Sequence, residues 1–147
     1  MASLISPGDQ QKLRDAFAEM TRNVHLVFFT QTLECETCLQ TRQILDELPL
    51  LSDRISIDEV NFVLEKDKAQ KYAVDRVPAI ALAYDEAGQP QDTRIRFLGT
   101  PAGYEFISLI QAVLLAGGRA STLKADTLTR LAAVDKPVTM QVFTTPT

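Results

Sequence analysis

Leu26-Val27-Phe28-Phe29-Thr30-Gln31-Thr32-Leu33-Glu34-Cys35-Glu36-Thr37-Cys38 runs from an apolar segment into the only two cysteines of the chain. The residues after it read as a helix, so the pair stands where a strand hands over to a helix. Cys35 is expected in the first helical turn, where unpaired backbone N–H groups and the helix dipole favour a thiolate. Cys38 follows one turn later, within reach of a disulfide. That spacing suits reversible dithiol–disulfide exchange. Three plainer readings compete with it. Free cysteines can be small core hydrophobes, although Glu34 and Glu36 argue against deep burial of the segment. An intrachain zinc site needs two further ligands, and the single histidine, His25, lies at the far end of the preceding strand. A static disulfide closing so short a loop removes little entropy from the unfolded chain.

Working outward, Ser6-Pro7-Gly8-Asp9 suits a helix start, and Leu13, Phe17 and Met20 recur at helical spacing over about residues 9–21. Residues 24–30 are apolar or β-branched almost throughout, as expected of a central strand covered on both faces. His25, within it, reads as a satisfied or surface histidine. A second helix is predicted over residues 35–47, with Leu39, Ile44, Leu45 and Leu48 inward and Pro49 as its stop. Residues 54–60 alternate, which marks a strand buried on one face or near an edge. A short charged helix over 65–72 turns Ala69 and Tyr72 inward. Residues 79–84 form a third strand with Pro78 at its mouth. Asp85-Glu86-Ala87-Gly88-Gln89 is a tight turn, and residues 93–98 return antiparallel, with Ile95 and Phe97 on one side and Arg94 and Arg96 on the other. A last helix over 104–115 presents Phe106, Ile107, Ile110, Val113 and Leu114, and Gly117-Gly118 ends it. The first two strands, joined through a helix, should be parallel. The result is an α/β fold: a mixed four-stranded sheet between helical layers, complete near residue 117.

The 147 residues, 46 % of them hydrophobic, can bury one core. The net charge of −4 is spread along the chain without a basic block, so nucleic acid is a poor partner. No apolar run approaches membrane-spanning length, and the first residues lack the charged and apolar regions of a signal peptide. A cytoplasmic setting is the default expectation, and there a close cysteine pair is more often working than stapling.

The tail repeats the opening. Residues 122–134 read as an amphipathic helix with Leu123, Leu128, Leu131 and Val134, and residues 138–143 as a strand. At an offset of 114 residues, Val24–Thr30 falls on Val138–Thr144; Leu13 falls on Thr127, but Phe17 falls on Leu131 and Met20 on Val134. Residues 1–118 are therefore expected to form one module, and 119–147 the first helix and strand of a second. The alternative is a helix and strand that complete the first sheet. With no neighbours of its own in this chain, the strand over 138–143 is expected to pair with its counterpart in a second copy, making a homodimer, while the 122–134 helix packs on the first module.

Cys35-Glu36-Thr37-Cys38 after a strand, with Val77-Pro78 heading another strand, resembles the thioredoxin/glutaredoxin superfamily. Closer still is the likeness to tandem glutaredoxin-like protein disulfide oxidoreductases. It is carried by Tyr72-Ala73-Val74-Asp75-Arg76-Val77-Pro78-Ala79-Ile80, by Phe97-Leu98-Gly99-Thr100-Pro101-Ala102-Gly103-Tyr104-Glu105-Phe106, and by residues 136–147, which are similar to the run entering that family's second Cys-x-x-Cys. The resemblance implies a three-layer sandwich and a thiol–disulfide oxidoreductase acting on protein disulfides without metal or organic cofactor. By the same likeness Cys35 is the exposed attacking thiol and Cys38 the shielded resolving one. Pro78 is a cis-proline packed against them, and Val77 offers its backbone to an extended substrate. Electrons would come from a thioredoxin-reductase-like flavoprotein or from glutathione. Two departures stand out. Glu34 and Glu36 place negative charge beside the Cys35 thiolate, which should raise its pKa and make the disulfide less oxidising. The second redox motif is missing from this chain. A non-enzymatic adaptor or redox sensor is the alternative, and metal shared by the two cysteines with a partner chain the third.

Overall fold

The computed structural model describes residues 3–145; of the stretch likened to a second module, Pro146 and Thr147 lie outside these. Helix α1 (Pro7–Phe17) starts at Ser6, whose hydroxyl accepts from the Asp9 amide as an N-cap, with Pro7 at the first helical position. Strand β1 (Val24–Thr30) follows, then α2 (Cys38–Asp46), β2 (Ile55–Asn61), α3 (Lys66–Lys71), β3 (Ala79–Glu86), β4 (Gln89–Leu98), α4 (Tyr104–Ala116) and α5 (Ala125–Ala132). The sheet order is β2-β1-β3-β4. β1 runs parallel to β2 and antiparallel to β3, and β3 is antiparallel to β4.

β1 is central, and its two-residue alternation divides the core. Val24, Leu26 and Phe28 join Phe17, Leu45, Leu48 and Leu109 on the face covered by α1, α2 and α4. Val27 and Phe29 join Val60, Ala69, Tyr72 and Ala81 on the face covered by α3. Both faces being covered explains why β1 carries almost no polar residue. β2 is an edge strand, which is why polar residues recur along it. The β3–β4 turn places Ala87 and Gly88 at φ 50° and 76°, the pair of positive values that a two-residue hairpin requires. On β4, Arg96 lies over the Tyr72 ring and bonds Asp92, whose carboxyl it holds below the ordinary range. His25 is satisfied as expected, with one ring nitrogen 2.7 Å from Ser56 Oγ and the other 2.8 Å from Asp85 Oδ1.

Four expectations need correction. Leu39 is 69 % exposed, and the inward face of α2 is instead Cys38, Thr41 and Leu45. The helix begins at Cys38, not at 35, and Cys38, Thr41 and Leu45, spaced three and four apart, share its inward face, which leaves Leu39 on another side. Ile107 is also exposed, because Leu109, Ile110, Ala112 and Val113 form the packed side of α4. Residues 138–143 form no strand, since no described segment offers them backbone partners. Nor does the tail helix pack on the first module: every described residue from Ala120 to Thr145 is exposed, and α5 buries none.

Candidate functional site

The site lies at the end of the sheet where β1 and β4 finish and β3 begins. After Thr30 the chain crosses a loop in which Glu34 adopts φ 57°, and Cys35 follows it. Cys35 is thus not in the first helical turn. It precedes the helix, because residues 36 and 37 form a turn before helical geometry starts. Thr37 is the N-cap residue, yet its side chain makes no capping bond. The first backbone N–H groups of α2 therefore remain uncapped beside the cysteines, an electropositive setting for sulfur.

Cys35 and Cys38 are joined by a disulfide, with 5.5 Å between their Cα atoms. Cys35 is half-buried, whereas Cys38 is only 4 % exposed. Burial follows from position: Cys38 is on the inward face of α2, and Cys35 is on the loop that leads to it. Glu34 and Glu36, on either side of Cys35, are both exposed.

Val77 and Pro78 stand at the start of β3, the strand paired with β1, and their peptide bond is cis. Pro78 is buried and Val77 half-buried. The Pro78 carbonyl accepts from the Gly99 amide at 2.9 Å. Among the described residues, no protein partner takes the Val77 backbone N–H or C=O. Before Val77, the exposed Arg76 bonds Asp75 and holds its carboxyl below the ordinary range. Leu33, Leu64 and Tyr104, in three separate segments, are exposed large apolar side chains, at 78 %, 80 % and 77 %. The described residues contain no group of three or more His, Cys, Asp or Glu placed to hold a metal ion. No helix among them is long and apolar enough to cross a membrane.

Sequence reasoning missed two residues of this region. Thr41 is fully buried one turn beyond Cys38, and its hydroxyl meets that of Thr100 in the loop after β4. Thr41 carried a signal, since it falls three residues after Cys38 and four before Leu45 on one helical face. Thr100 had only its place beside Gly99.

No family model matches the chain. Over 83 residues, 56 % of its length, it is 40 % identical to the F component of alkyl hydroperoxide reductase from Xanthomonas campestris pv. phaseoli, and it spans 13 % of that relative. Among solved structures, the NTD_N/C domain of alkylhydroperoxide reductase AhpF from Enterococcus faecalis superposes with a TM-score of 0.79 at 28 % identity, over 90 % of this chain and 62 % of that one. A protein disulfide oxidoreductase from Aeropyrum pernix gives a TM-score of 0.71 at 25 % identity, over 87 % of this chain and 54 % of that one. The superposition over most of this chain shows that these structures share its arrangement of a mixed sheet flanked by helices.

Proposed function

We propose that this thioredoxin-fold thiol–disulfide oxidoreductase exchanges its Cys35–Cys38 disulfide with disulfides of protein partners. One observation supports this above the others: a half-exposed Cys35 bonded to a buried Cys38, at the end of the sheet where the cis Val77–Pro78 bond leads into β3. In the reduced state the Cys35 thiolate attacks a partner disulfide, one partner sulfur leaves as thiolate, and a mixed disulfide forms. Cys38 then attacks Cys35, releasing the second partner thiol and closing the Cys35–Cys38 bond. Two electrons pass to the partner. The free Val77 backbone groups suit an extended segment laid beside the sulfurs, in the manner of strand addition.

The electron source fits two classes, a thioredoxin-reductase-like flavoprotein or glutathione. Likeness to the F component of alkyl hydroperoxide reductase favours a partner chain in a peroxide-reducing system over a general protein substrate. Reduction of insulin disulfides, driven in turn by each electron source, tests the function. If neither source reduces the pair and insulin stays oxidised, the adaptor alternative stands.

Glu34 and Glu36 tune the couple in this proposal. Negative charge beside Cys35 disfavours its thiolate and so disfavours the reduced form, which moves the pair toward the reducing end of the thioredoxin-like range. Replacing both by glutamine should lower the Cys35 pKa, modestly because both side chains are exposed and screened. The pH dependence of Cys35 alkylation measures it, and an unmoved pKa removes the tuning role.

Residues 119–147 remain, in this proposal, the opening of a second module, and they are the segment through which two copies would associate. Leu128, Leu131, Val138, Met140, Val142 and Phe143 are all substantially exposed there, an apolar surface uncommon on a monomer. Removing residues 120–147 should leave a folded module with an intact redox pair and abolish concentration-dependent association in light scattering. A full chain that is monomeric at every concentration excludes the homodimer.

A further inference from the structure

Thr41 holds the one buried polar side chain among the described residues, at 0 % exposure. Its hydroxyl donates to the Thr37 carbonyl at 2.9 Å and lies 2.8 Å from the Thr100 hydroxyl. A hydroxyl has a single proton to give. That of Thr41 is committed to Thr37, so Thr100 is the donor in the second bond. The Thr37 carbonyl also accepts the Thr41 amide at 3.0 Å. Thr37, lying between the two cysteines, is thus gripped twice by one buried residue. Thr100 in turn follows Gly99, whose amide holds the Pro78 carbonyl. Two adjacent residues of one loop therefore reach both halves of the redox site.

A buried threonine that bonds back one helical turn is common in itself. Here a second bond leaves the helix and ties it to a separate loop, at the turn that carries the sulfurs. We infer that the Thr100–Thr41–Thr37 hydrogen-bond chain is a positioning brace that holds the Cys35–Cys38 turn against the Val77–Pro78 segment and thereby favours disulfide closure. This rests on the redox function proposed above. Closure oxidises two protein thiols: they lose two protons and two electrons, the protein S–S bond forms, and the S–S bond of glutathione disulfide breaks to give two glutathione thiols. Its equilibrium depends on how often the two sulfurs meet, and a held turn raises that effective concentration.

The test uses the full chain equilibrated in mixtures of reduced and oxidised glutathione, with free thiols read by alkylation and mass. Thr41→Val keeps the shape and removes the hydroxyl. It should lower the equilibrium constant for disulfide closure about five-fold, as expected for one buried hydrogen bond that favours the closed form. Thr41→Ser, which retains the hydroxyl, should stay within about two-fold of the parent. Thr100→Val should act in the same direction as Thr41→Val, and the double variant should fall no further than Thr41→Val alone, because the two act through one contact. If Thr41→Val fails to fold, Thr100→Val at its half-buried loop position carries the comparison. Constants unmoved in Thr100→Val, or in a folded Thr41→Val, overturn the brace, as does a serine variant that behaves like valine. A parent chain whose pair does not titrate reversibly overturns the redox function and the brace with it; one that titrates normally beside unmoved variants overturns the brace alone.

Discussion

Cys35→Ser should abolish insulin-disulfide reduction, by about a thousand-fold or more, the scale on which loss of a nucleophile acts. Cys38→Ser should also stop turnover, but with a different product: a mixed disulfide between Cys35 and the substrate, visible as a covalent adduct that added thiol releases. The asymmetry comes from position in the fold. Cys35 is on the loop and half-exposed, so a partner sulfur can reach it. Cys38 is 4 % exposed on the inward face of α2, where only a sulfur already bonded to Cys35 comes close. The uncapped first turn of α2 lies beside both, yet accessibility favours Cys35 for the encounter. Limited alkylation of the reduced protein should therefore label Cys35 first. Preferential labelling of Cys38, or an adduct that accumulates on Cys35→Ser in place of Cys38→Ser, would reverse the assignment.

Much of this architecture was legible because the relevant signals are local. The apolar run of β1 is long enough to require cover on both faces, and the structure supplies it from two separate clusters. The alternation of Ile55 and Ile57 with polar residues marked a strand buried on one face or near an edge, and β2 is an edge strand. Harder to read was the start of α2. Helical periodicity does not say where a helix begins when the cap side chain is idle, and Thr37 makes no capping bond. The apolar pattern put Leu39 inward; the structure puts Thr41 there, and with it a buried hydroxyl whose partner, Thr100, is 59 residues away. A bond across that separation leaves no mark in local pattern. The tail shows the opposite failure. Val138, Met140 and Val142 alternate as a strand should, but a strand also needs a neighbour, and periodicity cannot supply one.

That difference between β1 and the tail sets up a matched pair of truncations. Phe28 and Phe143 are both aromatic residues in runs that read as β-strand, and the repeat aligns their two segments. Phe28 is 0 % exposed, in the central strand opposite Glu59 of β2 and Ile80 of β3, and in the same cluster as Leu26, Leu45 and Leu109. Phe143 is 89 % exposed. Phe28→Ala removes a ring from a layer held by strands on both sides, so the backbone has little freedom to collapse into the space. It should cost about 3–5 kcal/mol, the range for a phenylalanine deleted from a packed core. Against a total stability of about 5–15 kcal/mol for a domain, that loss brings the chain close to unfolding at growth temperature. Phe143→Ala should change stability by less than about 0.5 kcal/mol, since nothing packs on the ring. Urea unfolding of the two variants at one low protein concentration separates them, with the midpoint moving for Phe28→Ala and the slope unchanged. A small effect at Phe28 would mean that the layer repacks around the gap. A large one at Phe143 would mean that the tail finds a packing partner in solution, and a dependence of that loss on protein concentration would identify the partner as a second copy of the chain.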